Sequence, residues 1–138
     1  MKENEIKEFL NSQNINFAKQ STIWATIKPT IGAYNNGFGD TMHVMKDHIL
    51  HFNNEGLAIF AIDDNSGRIL KDTLKFFPIQ DIKLNLKMNV LGLLLTISTE
   101  KGDIEFKIRK SIIGCPWHKE NLSFILLGMS LGMSAPKE

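Results

Sequence analysis

The chain has 138 residues, a formal net charge of +1, 43% hydrophobic and 22% charged residues, the size and balance of one globular domain with a core of its own. Fourteen lysines stand against two arginines; the near-neutral total and the scarcity of the residue that grips phosphate and guanine bidentately argue against a nucleic-acid partner. A single cysteine, Cys115, allows no intrachain disulfide, and no run reaches the roughly 18 to 20 apolar residues of a membrane span, so the expectation is a cytoplasmic protein without an integral membrane segment.

The first residues, MKENEIKEFLNSQN, are charged and lack the apolar stretch of a secretory leader. Ile6, Phe9 and Leu10 recur at helical spacing, which predicts a short helix over residues 3–12 that is marginal unless it docks on the rest. TIWATIK, residues 22–28, suits a first strand, and PTIGAYNNGFGDT, residues 29–41, reads as a long irregular loop of the kind that often carries function. Strands are predicted near 43–52 and 57–63, joined by the turn residues Asn53, Asn54, Glu55 and Gly56, and a second turn follows at Asp63 to Gly67. A third strand, 69–77, stops at Pro78, which cannot donate to a ladder.

The clearest periodicity follows. KLNLKMNV puts Leu84, Leu86, Met88 and Val90 on one face and Lys83, Asn85, Lys87 and Asn89 on the other; DIEFKIRK alternates Ile104, Phe106 and Ile108 with Glu105, Lys107 and Arg109. Strands at 82–90, 92–99 and 103–110 result, and links this short require antiparallel pairing. CPWHKENLSFILLGMSL then predicts a helix opening at Pro116, a favoured first helical position. Trp117, Phe124, Ile125, Leu126, Leu127, Met129 and Leu131 cover more than one of its faces, so it should be largely buried or partnered. The expected fold is α+β, mostly β: a curved sheet or split barrel plugged by the C-terminal helix, in a single domain 1–138 with residues 1–20 as a helical extension and about 41–131 as the core.

This order of elements resembles the bacterial pleckstrin-homology-like (PH-like, GRAM-like) domains over residues 43–131. In that family an apolar–Pro–x–x–Asp–Ile element commonly precedes the central strand pair, here Phe77, Pro78, Ile79, Gln80, Asp81 and Ile82, and a capping helix with an aromatic near its start closes the chain, here with Trp117. The resemblance implies two antiparallel sheets packed near-orthogonally and one C-terminal helix; it implies little about activity. Eukaryotic relatives often hold phosphoinositide head groups with basic residues of the first hairpin loop. The loop in that place, Asn53 to Gly56, contains no lysine or arginine.

Catalytic motifs are scarce. Cys115 precedes a helix N-terminus, with His118 three residues on, but a small residue buried at a strand-to-helix junction and a solvated histidine are the simpler expectation. His43 and His51 share a strand face about 26 Å apart at ~3.3 Å per residue, and His48 points the other way, so surface or strand-pairing roles are expected and no metal site. Asp63, Asp64 and Asn65 resemble the start of a calcium loop, yet the twelfth position is Leu74, which favours a plain turn. Gly32, Gly37 and Gly39 precede a strand pattern, not a helix, and read as turn glycines rather than a nucleotide loop.

The functional hint is electrostatic. Lys83 and Lys87 share the outward face of one strand, Lys107 and Arg109 that of another; residues 83–119 hold seven cations and three acids. These four are the candidate binding residues for an anionic surface, and Trp117, Pro78 and Pro116 are the structural candidates. A non-catalytic binding module, meeting a protein partner or an anionic lipid surface and using no cofactor, is the leading expectation. The alternatives are a small enzyme built on the 29–41 loop, and an oligomeric assembly protein using the C-terminal helix, whose Met129, Leu131 and Met133 extend apolar character past what a capping helix needs.

Overall fold

A computed structural model describes residues 1–28, 47–88, 90 and 92–134, with the side chains of the last helix to residue 128. Helix α1 (Glu3–Ser12) is followed by seven strands, β1 (Thr22–Lys28), β2 (Asp47–Asn53), β3 (Gly56–Ile62), β4 (Ile69–Pro78), β5 (Lys83–Met88), β6 (Gly92–Thr99) and β7 (Gly102–Arg109), and by helix α2 (Pro116–Ser134). The six strands expected after residue 41 are all present and antiparallel. The expected loop at 29–41, His43 and the start of the strand drawn from 43 lie outside the described residues.

One seven-stranded sheet, in the order β4-β3-β2-β1-β7-β6-β5, stands where two separate sheets were expected. The reason is β1. Its first part pairs with β2, from Thr22 opposite His51 to Thr26 opposite Asp47. Its last residues pair with β7, Thr26 opposite Lys107 and Lys28 opposite Glu105. β1 therefore joins the meander β2–β4 to the meander β5–β7 and is the central strand, not a preliminary to the core. It also makes the Asn53–Gly56 turn the second inter-strand loop, between β2 and β3, rather than the first.

The sheet is not hydrogen-bonded into a closed barrel, yet it cannot be flat. Seven flat strands would hold their outer edges about 29 Å apart at ~4.8 Å per strand. The edges β4 and β5 are joined between Pro78 and Lys83 through a single 3-10 turn, Ile79–Asp81, a link that reaches at most about 18 Å. The sheet rolls to bring that corner together. Its inner face carries Ile23, Ala25, Ile27, Leu50, Leu57, Ile59, Leu93, Leu95, Ile97, Ile104, Phe106 and Ile108, and Leu122 and Ile125 of α2 complete this core.

Among the described residues, α1 covers one half of the outer face. Ile6, Phe9 and Leu10 of α1 bury against Ile49, Ala58, Phe60 and Ile62, with Phe9 and Phe60 edge to face at 5.0 Å between ring centres. Every residue of β3 is buried in consequence, which explains its unbroken apolar run GLAIFAI. α1 is begun by Glu5, whose carboxylate accepts the Lys2 backbone N–H at 3.0 Å. It is ended by Asn14 at φ 60°, which lets the Ile15 N–H reach back to the Leu10 carbonyl at 3.0 Å. Trp117, on a helix expected to be largely buried or partnered, is half-buried at the margin of this outer cluster, and its indole N–H donates to the Met1 carbonyl at 2.9 Å.

Edge strand β4 is interrupted. Its register shifts opposite Phe60, and Thr73 fills the gap: its hydroxyl accepts the Ala61 N–H at 2.8 Å and donates to the Leu70 carbonyl at 2.6 Å. Pro78 ends the strand opposite Gly56.

Because Leu10 is fully buried against the sheet, Leu10→Ala is expected to destabilise the protein by about 2–5 kcal/mol in urea unfolding. A helix that merely frayed beside the sheet would give a change under about 0.5 kcal/mol.

Candidate binding face

The register of β1 and β7 predicts that Trp24 would face Arg109, two positions on from the pair of Thr26 and Lys107. That pair is not made directly. The imidazole of His118, in the first turn of α2, sits in the ladder instead. Its Nδ1 accepts the Trp24 backbone N–H at 2.9 Å and its Nε2–H donates to the Arg109 carbonyl at 2.6 Å. One turn later the Asn121 amide donates to the Thr22 carbonyl at 3.0 Å and to the Glu3 carboxylate at 2.9 Å. Two side chains of α2 thus serve the β1 edge that β7 leaves behind, and His118 bridges the two strands. The amide donor at Trp24 fixes the neutral tautomer of His118, with the proton on Nε2.

This corrects the expectation of a solvated His118: it is fully buried, and burial lowers its pKa against the smaller opposing pull of the Arg109 carbonyl. Cys115 is buried as expected, and burial pushes its thiol up. With both nitrogens of His118 engaged by backbone, the imidazole has no lone pair left to act as base for this thiol.

Two of the strand histidines, His48 and His51, are also inside rather than at the surface. His51 is fully buried on the outer face of β2, stacked on Phe17 at 4.9 Å. Its Nε2 accepts the Ala18 N–H at 3.0 Å, and its Nδ1 meets the Thr22 hydroxyl at 2.7 Å. It ties the segment after α1 to the sheet. Burial lowers its pKa from 6.5 to about 4, against an opposing backbone hydrogen bond at Asn16. His48 points the other way, as its position requires, and packs edge to face on Phe106 in the inner core, 5.4 Å between ring centres. Asp63 is a turn residue: its carboxylate accepts the Asn65 and Ser66 N–H groups at 2.7 and 3.1 Å, which lowers its pKa.

The outer face of β5, β6 and β7 is the part of the sheet α1 does not cover. Register places Lys83, Asn85 and Lys87 of β5 beside Ser98, Thr96 and Leu94 of β6, and these beside Asp103, Glu105 and Lys107 of β7. Arg109 follows opposite Gly92. All four expected cations therefore share one face, and β6 lies between the two pairs. The charges are graded along the strands. Asp103, Glu105 and Lys83 lie at one end, where Lys28 from β1 approaches Glu105 at 3.6 Å. Lys87, Lys107 and Arg109 gather toward the other, beside the β5–β6 turn and the β7–α2 link. Gly92 is required at that turn, since a Cβ there would lie 2.3 Å from the Ile108 carbonyl oxygen.

Other surface features are less organised. An open depression of about 360 Å³ between the segment after α1 and edge strand β4 is lined by Gln13, Asn14, Ile15, Glu55, Leu74 and Phe76; its one carboxylate, Glu55, already accepts from the Asn16 amide at 3.3 Å. Among the described residues no three of His, Cys, Asp and Glu gather as metal ligands, and no helix is long and apolar enough to cross a membrane. Comparison of the chain with protein-family models and with curated proteins returns no match.

The buried neutral histidines set a pH dependence. Below pH 6.5 the unfolded chain takes up protons at His51 and His118 that the folded chain resists. Their stabilisation is complete above 6.5 and is lost as pH falls; for His51 the loss runs down to about pH 4 and amounts to about 3 kcal/mol. Urea midpoints should fall steadily over that window, and His51→Gln should flatten the slope. An unchanged slope in the variant would show that His51 is not held neutral.

Proposed function

We propose that the chain is a non-catalytic, PH-like binding module of a cytoplasmic protein, and that it meets an anionic partner with the outer face of β5–β7. The observation that carries this reading is the asymmetric covering of the sheet. Among the described residues α1 occupies one half of the outer face, while the other half carries Lys83, Lys87, Lys107 and Arg109 exposed on one side of the sheet, the last three toward one end. The PH-like assignment is supported by seven antiparallel strands rolled into two meanders that share β1, and by a terminal helix entering the inner core.

A second reading, a protein partner or self-association through α2, is favoured by Phe124 and Leu127, which are half-exposed or more on the side of the helix away from the core. An enzyme built on the 29–41 loop finds no support from His48, His51 or His118, each of which is buried within the sheet or against it.

Exposed lysines hold anions through forces that salt screens over about 10 Å at 0.1 M. The protein should therefore co-sediment weakly with anionic vesicles at low salt, release at physiological salt, and lose binding in the variant K83A/K87A/K107A/R109A. Head-group selectivity is not expected. Tight binding that survives physiological salt and is unchanged in the variant would refute this face.

A further inference from the structure

The cationic end of the same face has a second property. Where β5 turns into β6, Met88 is 75% and Val90 92% exposed, and in the link from β7 to α2 Ile113 is fully exposed. These two segments belong to one end of the sheet, because Gly92 opens β6 directly opposite Arg109 at the close of β7. Ile113 is held at the crest of a tight turn: the Cys115 N–H bonds the Ile112 carbonyl at 3.2 Å, and Gly114 adopts φ 84°. Aliphatic side chains are thus presented at the ends of elements, where no neighbouring strand covers them. At the same end lie Lys87, Lys107 and Arg109, with Lys110 next in the chain.

We infer that this end of the sheet docks on an anionic lipid bilayer, with Met88, Val90 and Ile113 entering the headgroup region and Lys87, Lys107, Arg109 and Lys110 bound to lipid phosphates. The inference rests on the anionic-surface reading above and names its partner and orientation. Aliphatic tips at the same end as cations match a bilayer interface, which offers negative charge at its surface and hydrocarbon a few ångströms below. A second copy of the chain fits less well: joined through this end it would bring two sets of like charges together, which opposes association. A protein groove would have to accept protruding turns rather than a flat patch.

The test uses full-length protein in three forms: wild type, the tip variant M88S/V90S/I113S, and the four-site cation variant. The cation variant here is K87A/K107A/R109A/K110A, and each form is measured on vesicles of phosphatidylcholine with about one-third phosphatidylglycerol, on pure phosphatidylcholine, and on soluble polyglutamate, all at low salt. The tip residues are exposed, so circular dichroism and the urea midpoint of that variant should match wild type. The tip variant is expected to bind anionic vesicles about tenfold more weakly and to bind polyglutamate as wild type does; the cation variant should lose both. Equal vesicle binding by the tip variant and wild type would overturn the insertion while leaving the cationic face standing. Failure of wild type to bind either anionic probe would overturn both. A wild-type dimer in sedimentation equilibrium that the tip substitutions dissolve would assign the tips to self-association and overturn the bilayer.

Discussion

One imidazole holds the architecture together. A sheet rolled about a central strand must let that strand change partners, and every change leaves backbone donors and acceptors facing nothing. Between Trp24 and Arg109 the missing bond is replaced by His118, and at Thr22 by Asn121. The two side chains define where the sheet opens and where the helix enters. They also fix the helix in rotation, so that Leu122 and Ile125 fall on the inner core. Packing alone would tolerate sliding of an apolar helix over an apolar sheet; three hydrogen bonds to specific backbone atoms do not.

The same junction explains why the two halves of the outer surface differ. Asn121 also holds Glu3, and Trp117 holds the Met1 carbonyl, so the start of α1 is secured to the start of α2. From there α1 can lie only over the β1–β4 half, and His51 fastens its trailing segment to the same half. The cations of the other half, Lys83, Lys87, Lys107 and Arg109, are exposed, and among the described residues α1 does not reach them. The asymmetry of the outer surface is a consequence of where α1 is tethered.

Much of this fold was legible in the residues, for identifiable reasons. β5 and β7 each have one wet and one dry face, and their alternation states it directly; Pro78 and the Asn53–Gly56 turn punctuate as their chemistry demands. That Lys83 and Lys87 share a face, and Lys107 and Arg109 another, followed from that alternation; that the two faces are one came from the register through β6. The double pairing of β1 did not, because its second partner lies some eighty residues away and no local pattern encodes it. The burial of His48, His51 and His118 was missed for the same reason: a polar residue looks solvated until its distant partner is known. A signal did exist in α2. His118, Asn121, Leu122 and Ile125 follow the spacing i, i+3, i+4, i+7, which sets two hydrogen-bonding side chains on the apolar stripe of the helix. Polar groups in such a place require backbone to satisfy.

The position of β1 also governs the order in which the molecule can be assembled. It is the first strand to be synthesised, and α1 and β2–β4 can gather on it as soon as they emerge. Its other edge waits until residues 105–121 exist, since only β7, His118 and Asn121 complete it. Until then the nascent protein carries an open, hydrogen-bond-hungry strand edge next to unfinished hydrophobic surface, the circumstance in which chains misassociate. Closure across so long a separation is slow. β7 and the first turns of α2 therefore act as the sheet's own edge guard, and a chain halted before Asn121 holds a partly built sheet rather than a smaller stable domain.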